Sequence, residues 1–247
     1  MNELSNGLSI YVEDTQKTFH TLNDWNYALG NNNYIGTPEM ETVYIDVPYR
    51  DGLIDASTAM TGRPVYKARP LAFQLGGLEN RMNWDSVISK IRNEIHGRIC
   101  RITLDNDPNY YWRGRVYLED FDRARELGTF VLNIPKAEPY KYFYLDSTEQ
   151  WLWDPFNFEE DMIIFCSQLT INGTMTKTIP AGHMPCVPDF VVSNISNSLT
   201  LTVGSTSFTL VNGKNTFPEI TVGGDQDTDL VFSGSGKVQI VYKAGSL

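Results

Sequence analysis

The side chains best placed to do chemistry are three histidines, three cysteines and a few clusters of carboxylates. His183 and Cys186 lie close together, with Cys166 upstream, and make a partial zinc set. A closed tetrahedral site needs four ligands, and neither a fourth ligand nor a paired C-x-x-C accompanies them. His20, His96 and His183 are too far apart in the chain to form an H-x-x-x-H pair. Asp105-Asn106-Asp107-Pro108-Asn109 and Asp225-Gln226-Asp227-Thr228-Asp229 both open like a calcium loop, in which alternate carboxylates converge on one hard cation. Such a loop also needs Gly at its sixth position and Glu at its twelfth. The first stretch has Tyr110 and Val116 there, the second Leu230 and Gly236. Solvated turns, with Asp and Asn bonding their own backbone, account for both stretches.

Glu159-Glu160-Asp161, close to Trp151 and Trp153, offers acids beside aromatics as a glycosidase cleft does. Hydrolysis requires two carboxylates on opposite sides of the scissile bond, and one short segment does not supply that. Gly223-Gly224 and Gly234-Ser235-Gly236 have the spacing of turns and lack the Lys or following helix that phosphate binding demands. The expectation is a chain that is not an enzyme, with no catalytic, cofactor-binding or metal-ligating residue and no cofactor. Cys100, Cys166 and Cys186 are an odd, widely spaced set, which fits reduced buried thiols better than a disulfide framework.

Any function must then come from surfaces that the fold positions. At 247 residues the chain is long for one domain and comfortable for two. With 41% hydrophobic and 20% charged residues it is globular in composition, well away from the disordered class. Its net charge of −10 argues against nucleic-acid binding, which depends on Lys and Arg neutralising phosphates. No signal-peptide pattern opens the sequence and no apolar run is long enough to span a bilayer, so a cytoplasmic product without membrane insertion is expected.

From Pro185 onward, short alternating runs are separated by turn residues: Asp189 to Val192, Leu199 to Val203, Thr206 to Val211, Glu219 to Val222, Leu230 to Ser233 and Lys237 to Tyr242. Their period of two predicts an antiparallel sandwich with one wet face. Gly204-Ser205, Asn212-Gly213 and Ser233-Gly234-Ser235-Gly236 are the expected turns, and Asn172-Gly173 reads as a further hairpin. The aromatic stretch from Trp151 to Phe165 needs a core and is assigned to the same domain. The boundary falls near residue 146, after Pro135 and Pro139 interrupt the strand pattern, giving domains 1–145 and 146–247.

In the first domain, Trp84, Val87, Ile88, Ile91 and Ile95 make a single apolar stripe and predict one amphipathic helix, with Asn83 as N-cap, Asp85 in the first turn and Gly97 at the end. Strand-like runs surround it: Thr42 to Val47, Ala68 to Leu75, Arg98 to Leu104, Tyr110 to Glu119 and Gly128 to Ile134. The fold class is therefore mainly β with one principal helix: an α+β first domain followed by an antiparallel β-sandwich. Asp51 to Tyr66, poor in large apolar side chains, reads as a long arm or loop between strands.

Several stretches in order carry a family resemblance: Val47-Pro48-Tyr49-Arg50-Asp51-Gly52-Leu53-Ile54-Asp55; Tyr66-Lys67-Ala68-Arg69-Pro70-Leu71-Ala72-Phe73; His96-Gly97-Arg98; Tyr111-Trp112-Arg113-Gly114-Arg115-Val116; Trp153-Asp154-Pro155-Phe156-Asn157-Phe158-Glu159; and the ending from Gly234 to Leu247. Together they resemble the distal tail (Dit) proteins of long-tailed, non-contractile bacteriophages, across nearly the whole chain. The resemblance implies a structural virion component assembled in the host cytoplasm. Six copies would form a ring at the tail tip, joining the tail tube protein to the tail-associated tip and baseplate proteins, with the tape measure and receptor-binding proteins as further neighbours. It implies that residues 1–145 make the ring, that residues 146–247 are a galectin-like sandwich, and that the arm at Asp51 to Tyr66 touches neighbouring subunits. A ring built from heterologous contacts needs two separate adhesive surfaces on each copy. Some relatives carry an inserted carbohydrate-binding module, and this chain has no spare stretch of domain size. The alternative is a carbohydrate-binding, lectin-like adhesion protein acting on the host surface, with Trp151, Trp153 and Tyr142 as stacking candidates.

Overall fold

The computed structural model describes residues 6–77, 83–119, 122, 128–143, 168–182 and 184–247. Contacts divide the chain into two units, Met1–Lys141 and Tyr142–Leu247, each with its own hydrophobic core. The expected boundary near residue 146 lies outside the described residues. Strands dominate both units, and among the described residues there are two helices, neither long and apolar enough to cross a membrane.

The first unit runs β1 (Leu8–Val12), β2 (Lys17–His20), α1 (Thr21–Trp25), β3 (Tyr27–Leu29), β4 (Tyr34–Ile35), β5 (Tyr44–Asp46), β6 (Leu53–Asp55), β7 (Arg69–Gly77), α2 (Trp84–Ile95), β8 (Ile99–Leu104), β9 (Asp107–Arg115), β10 (Tyr117–Leu118) and β11 (Thr129–Ala137), with β12 (Lys141–Phe143) where the second unit begins. One antiparallel sheet carries β2-β1-β8-β9; another carries β10-β11-β7-β3, with β4 also paired to β7. Alternate residues of both point into one core: Leu8, Ile10 and Val12; Cys100 and Ile102; Leu71, Phe73 and Leu75; Phe130, Leu132 and Ile134. A single sheet under the helix was the expectation; two sheets and α2 share this core.

Helix α2 buries Trp84, Ile88, Ile91 and Ile95, the stripe its sequence predicts. Asn83 holds the N-cap position, but its backbone is already helical (φ −98°, ψ −9°) and its side chain makes no cap bond, which corrects the expected cap. Side-chain capping needs extended backbone at that residue. Gly97 follows the helix with a left-handed φ of 76°. Pro135 does not interrupt β11, which continues to Ala137. The register against β7 shifts between Ile134 and Ala137, and this irregularity accommodates a residue with no N–H to give.

On the opposite face of β1, β8 and β9, Glu13 gathers two arginines. Arg101 Nε donates to it at 3.1 Å, and Arg113 donates through Nε and Nη2, each at 2.8 Å. Arg113 also bonds Glu138, and Arg101 lies over the rings of Tyr11 and Tyr111. The Arg113 bond is the largest influence on Glu13; it outweighs burial and holds the carboxyl at about 2 against an ordinary 4.5. A carboxylate depressed in the folded state contributes stability that is complete above the unfolded value and is lost as pH falls toward the folded one. Glu13→Gln should therefore cost on the order of 2 kcal/mol at neutral pH, allowing for partial screening, and progressively less between pH 4.5 and 2. Urea titrations of both proteins across that range check this; stability curves that stay parallel down to pH 2 would contradict it.

The second unit contains β13 (Leu169–Ile179), β14 (Asp189–Ser193), β15 (Leu199–Val203), β16 (Thr206–Thr209), β17 (Gly213–Thr216), β18 (Thr228–Val241) and β19 (Gly245–Ser246). The order is β16-β15-β18-β14-β17, with β13 on β18. Strand β18 is 14 residues long and organises the unit. Strand β13 lies along one side of it from Leu169↔Val238 to Ile179↔Thr228. The other side belongs to β15 over Val231 to Gly234 and to β14 over Lys237 to Val241.

Two expected turns are thereby corrected. Ser233-Gly234-Ser235-Gly236 is inside β18, and Asn172-Gly173 is inside β13. Gly173 pairs with Gly234, and both have positive φ, 94° and 131°. Facing glycines let the two strands bend together where β18 exchanges β15 for β14, the kind of corner at which a strand passes between layers of a sandwich. Glu219 to Val222 is not a strand either: Ile220 N–H turns back to Phe217 O at 3.0 Å, leaving one isolated bridge between Val222 and Cys186. Gly204, with φ 58°, does turn the β15–β16 hairpin, and Gly213 (φ 104°) opens β17. Phe190, Val192, Leu199, Leu201, Phe232 and Ile240 fill the core. Within this unit, Phe143 N–H donates to Ala244 O at 2.9 Å, joining its first residues to its last.

Candidate interface: an exposed hairpin arm

Among the described residues the acidic clusters do not converge on a common centre. Asp105 accepts from Gly7 N–H at 2.7 Å and faces His20 Nε2 at 3.1 Å, while Asp107 pairs with Lys141 at 2.7 Å. Asp227 accepts from Ala181 N–H and Asp229 from the Thr178 hydroxyl, at 2.8 and 2.6 Å. Among the described residues no three His, Cys, Asp or Glu side chains group as metal ligands. His20 Nδ1 caps α1 by accepting from Asn23 N–H, and His96 Nδ1 accepts from Leu118 N–H. Burial pushes the Cys100 thiol up to about 12 and raises Cys186 as well, so neither offers a thiolate. His183, Cys166, Trp151, Trp153, Glu159, Glu160 and Asp161 lie outside the described residues.

The conspicuous surface feature is the excursion between β4 and β7. It leaves at Gly36, returns at Arg69, and is zipped by backbone bonds from Lys67 N–H to Glu39 O (2.8 Å), Glu41 N–H to Val65 O (2.7 Å) and Ala56 N–H to Val43 O (2.8 Å). Beyond this zipper β5 and β6 form a two-stranded hairpin, Tyr44↔Asp55 to Asp46↔Leu53. The tip is turned by Tyr49 and Gly52, with φ 64° and 77°. Sequence reasoning placed the arm at Asp51 to Tyr66 and assigned Thr42 to Val47 to the main sheet; the arm in fact includes both. Adjacent apolar residues Val43, Tyr44 and Ile45, which point to opposite faces of a strand, were the available signal.

An isolated two-stranded hairpin is marginal in water unless something covers a face. This one is exposed on both: Val43, Tyr44, Ile45 and Leu53 are exposed, Tyr49 and Met60 almost fully so at 110% and 98%. Only Ile54 among the six hairpin strand residues is half-buried. Exposed apolar groups clustered in this way mark a binding surface. Full burial of such side chains is worth roughly 1.5–3 kcal/mol each, together comparable with the ~4–15 kcal/mol that association costs. The arm can contribute much of an interface, but a stable assembly needs a second contact area.

No family model matches the sequence, and no curated protein matches it. Among solved structures, the crystal structure of the phage SPP1 protein Dit (gp 19.1), titled a paradigm of the hub adsorption apparatus in phages infecting Gram-positive bacteria, matches over 96% of this chain and 98% of that one. The TM-score is 0.59 and the identity 12%. The chain has the fold of SPP1 Dit. The Dit-like fold is mainly β with one principal helix, as the sequence patterns and the family resemblance led us to expect.

Proposed function

We propose that this chain is a distal tail protein, a structural hub in which six copies close a ring between the tail tube and the tail-tip or baseplate proteins of a phage. The observation that carries the reading is the match to a hub protein over nearly the full length of both chains. The exposed arm supports it, because a side-by-side ring requires each copy to present an adhesive element to its neighbour. In this reading residues 1–145 build the ring with their arms, and residues 146–247 form a galectin-like sandwich. The partners are further copies of the chain, the tube protein and the tail-associated tip protein, and the location is the virion. Size-exclusion chromatography with light scattering, followed by negative-stain electron microscopy, tests this. Six-fold rings are expected at high protein concentration, alone or with tube protein; a chain that remains monomeric under both conditions, with glycan binding by the intact protein, would replace it with the lectin reading.

A further inference from the structure

The arm is held at its root by one unusual residue. Arg69, the first residue of β7, is only 6% exposed. It makes no ion pair with a carboxylate among the described residues. Its Nε donates back to Gly36 O, where the excursion leaves the sheet; Nη1 donates to Pro139 O at 3.0 Å; and the guanidinium lies 4.6 Å from the centre of the Trp112 ring. The incoming end of the arm thus grips its outgoing end and ties both to β9 and to the last residues of the first unit. Gly36 completes the contact. Its N–H donates to Pro70 O at 2.9 Å, and a Cβ there would stand 2.8 Å from Pro70 Cγ.

Burying a cation without a counter-charge is costly, and a neutral side chain of the same volume would fill the space more cheaply. A planar fork offers what a neutral residue cannot, two directed charge-assisted bonds to carbonyls and a flat face for stacking. We propose that Arg69 is a positioning residue that sets the direction of the arm, so that the exposed hairpin is held ready for its neighbour before assembly. This rests on the ring reading only for its purpose; the clamp itself is a property of the single chain. Without Arg69 the zipper from Glu39 to Lys67 keeps its backbone bonds, the exposed Lys67–Glu39 ion pair at 3.9 Å and the edge-on Tyr66–Tyr140 ring contact, but loses its buried directed anchor, and the arm opens more readily than the core.

The test is hydrogen exchange on the full-length chain, wild type against Arg69→Met and Arg69→Lys, comparing the arm amides of Gly36, Glu41 and Lys67 with those of Phe73 and Ile102 in the core strands. Loss of a charged hydrogen bond predicts roughly tenfold faster exchange in the arm relative to the core in Arg69→Met. Arg69→Lys, which keeps the charge but loses the fork, should show much of the same selective change. A uniform acceleration of arm and core together, or no change in the arm, overturns the proposal, since a merely structural residue would move both alike. Should Arg69→Met fail to fold, Arg69→Lys alone decides by the same ratio. Ring formation is scored separately on the same samples: wild-type protein that never assembles counts against the ring reading and leaves the clamp to be judged on exchange.

Discussion

On the proposed ring reading, replacing the hairpin, residues 43–56, by a short Gly-Ser bridge should leave a folded chain that does not assemble with itself. The two flanking segments meet at the backbone bonds between Glu41 and Val65 and between Lys67 and Glu39, so a bridge from residue 42 to residue 57 closes on a pre-existing zipper. The residues removed contribute nothing to either hydrophobic core, and so the loss of stability should be about 1 kcal/mol or less. Assembly should weaken by orders of magnitude, because Val43, Tyr44, Ile45, Tyr49 and Leu53 leave together, each worth roughly 1.5–3 kcal/mol when covered. Light scattering over a concentration series measures this, with urea melting to confirm that the core is intact. Rings that persist at unchanged concentration would show that the arm is not the adhesive element.

The largest effect on folding is expected at Gly234. A Cβ there would lie 2.1 Å from Ser198 O and 3.0 Å from Leu199 Cα, both backbone atoms with no side-chain freedom to yield, and the residue's φ of 131° is strained for any L side chain. Overpacking and backbone strain each cost about 1–3 kcal/mol, so Gly234→Ala should lose roughly 4 kcal/mol. Gly173, its partner across the ladder, is a built-in control. Its φ of 94° is also strained, but nothing lies within 4 Å of a Cβ there. Gly173→Ala should therefore lose only about 1–2 kcal/mol, the strain alone. Equilibrium unfolding of the two variants separates clash from strain; equal losses would mean that the close approach of β15 to β18 at Ser198 does not constrain the unit.

Much of this protein was legible as pattern. The stripe Trp84, Ile88, Ile91 and Ile95 could only be one face of a helix, and the alternation in Leu199 to Val203 could only be a strand with one buried side. The arm was half-legible. Its apolar hairpin looks like core sequence, because burial pattern is a property of the whole assembly of strands and a hairpin exposed on both faces uses the same β-branched and aromatic residues.

What composition and periodicity determined, then, was the kind of fold: mainly β, two cores and one principal helix. Tertiary structure decided the chain path. Asn172-Gly173 and Gly234-Ser235-Gly236 carry turn signals like that of Asn212-Gly213, yet both lie within long strands, because a positive φ serves a tight reversal and an in-register bend equally well. Which of the two occurs depends on the strand lying opposite. In β13 and β18 each glycine found the other, and that pairing lies 61 residues away in sequence, beyond the reach of any local pattern.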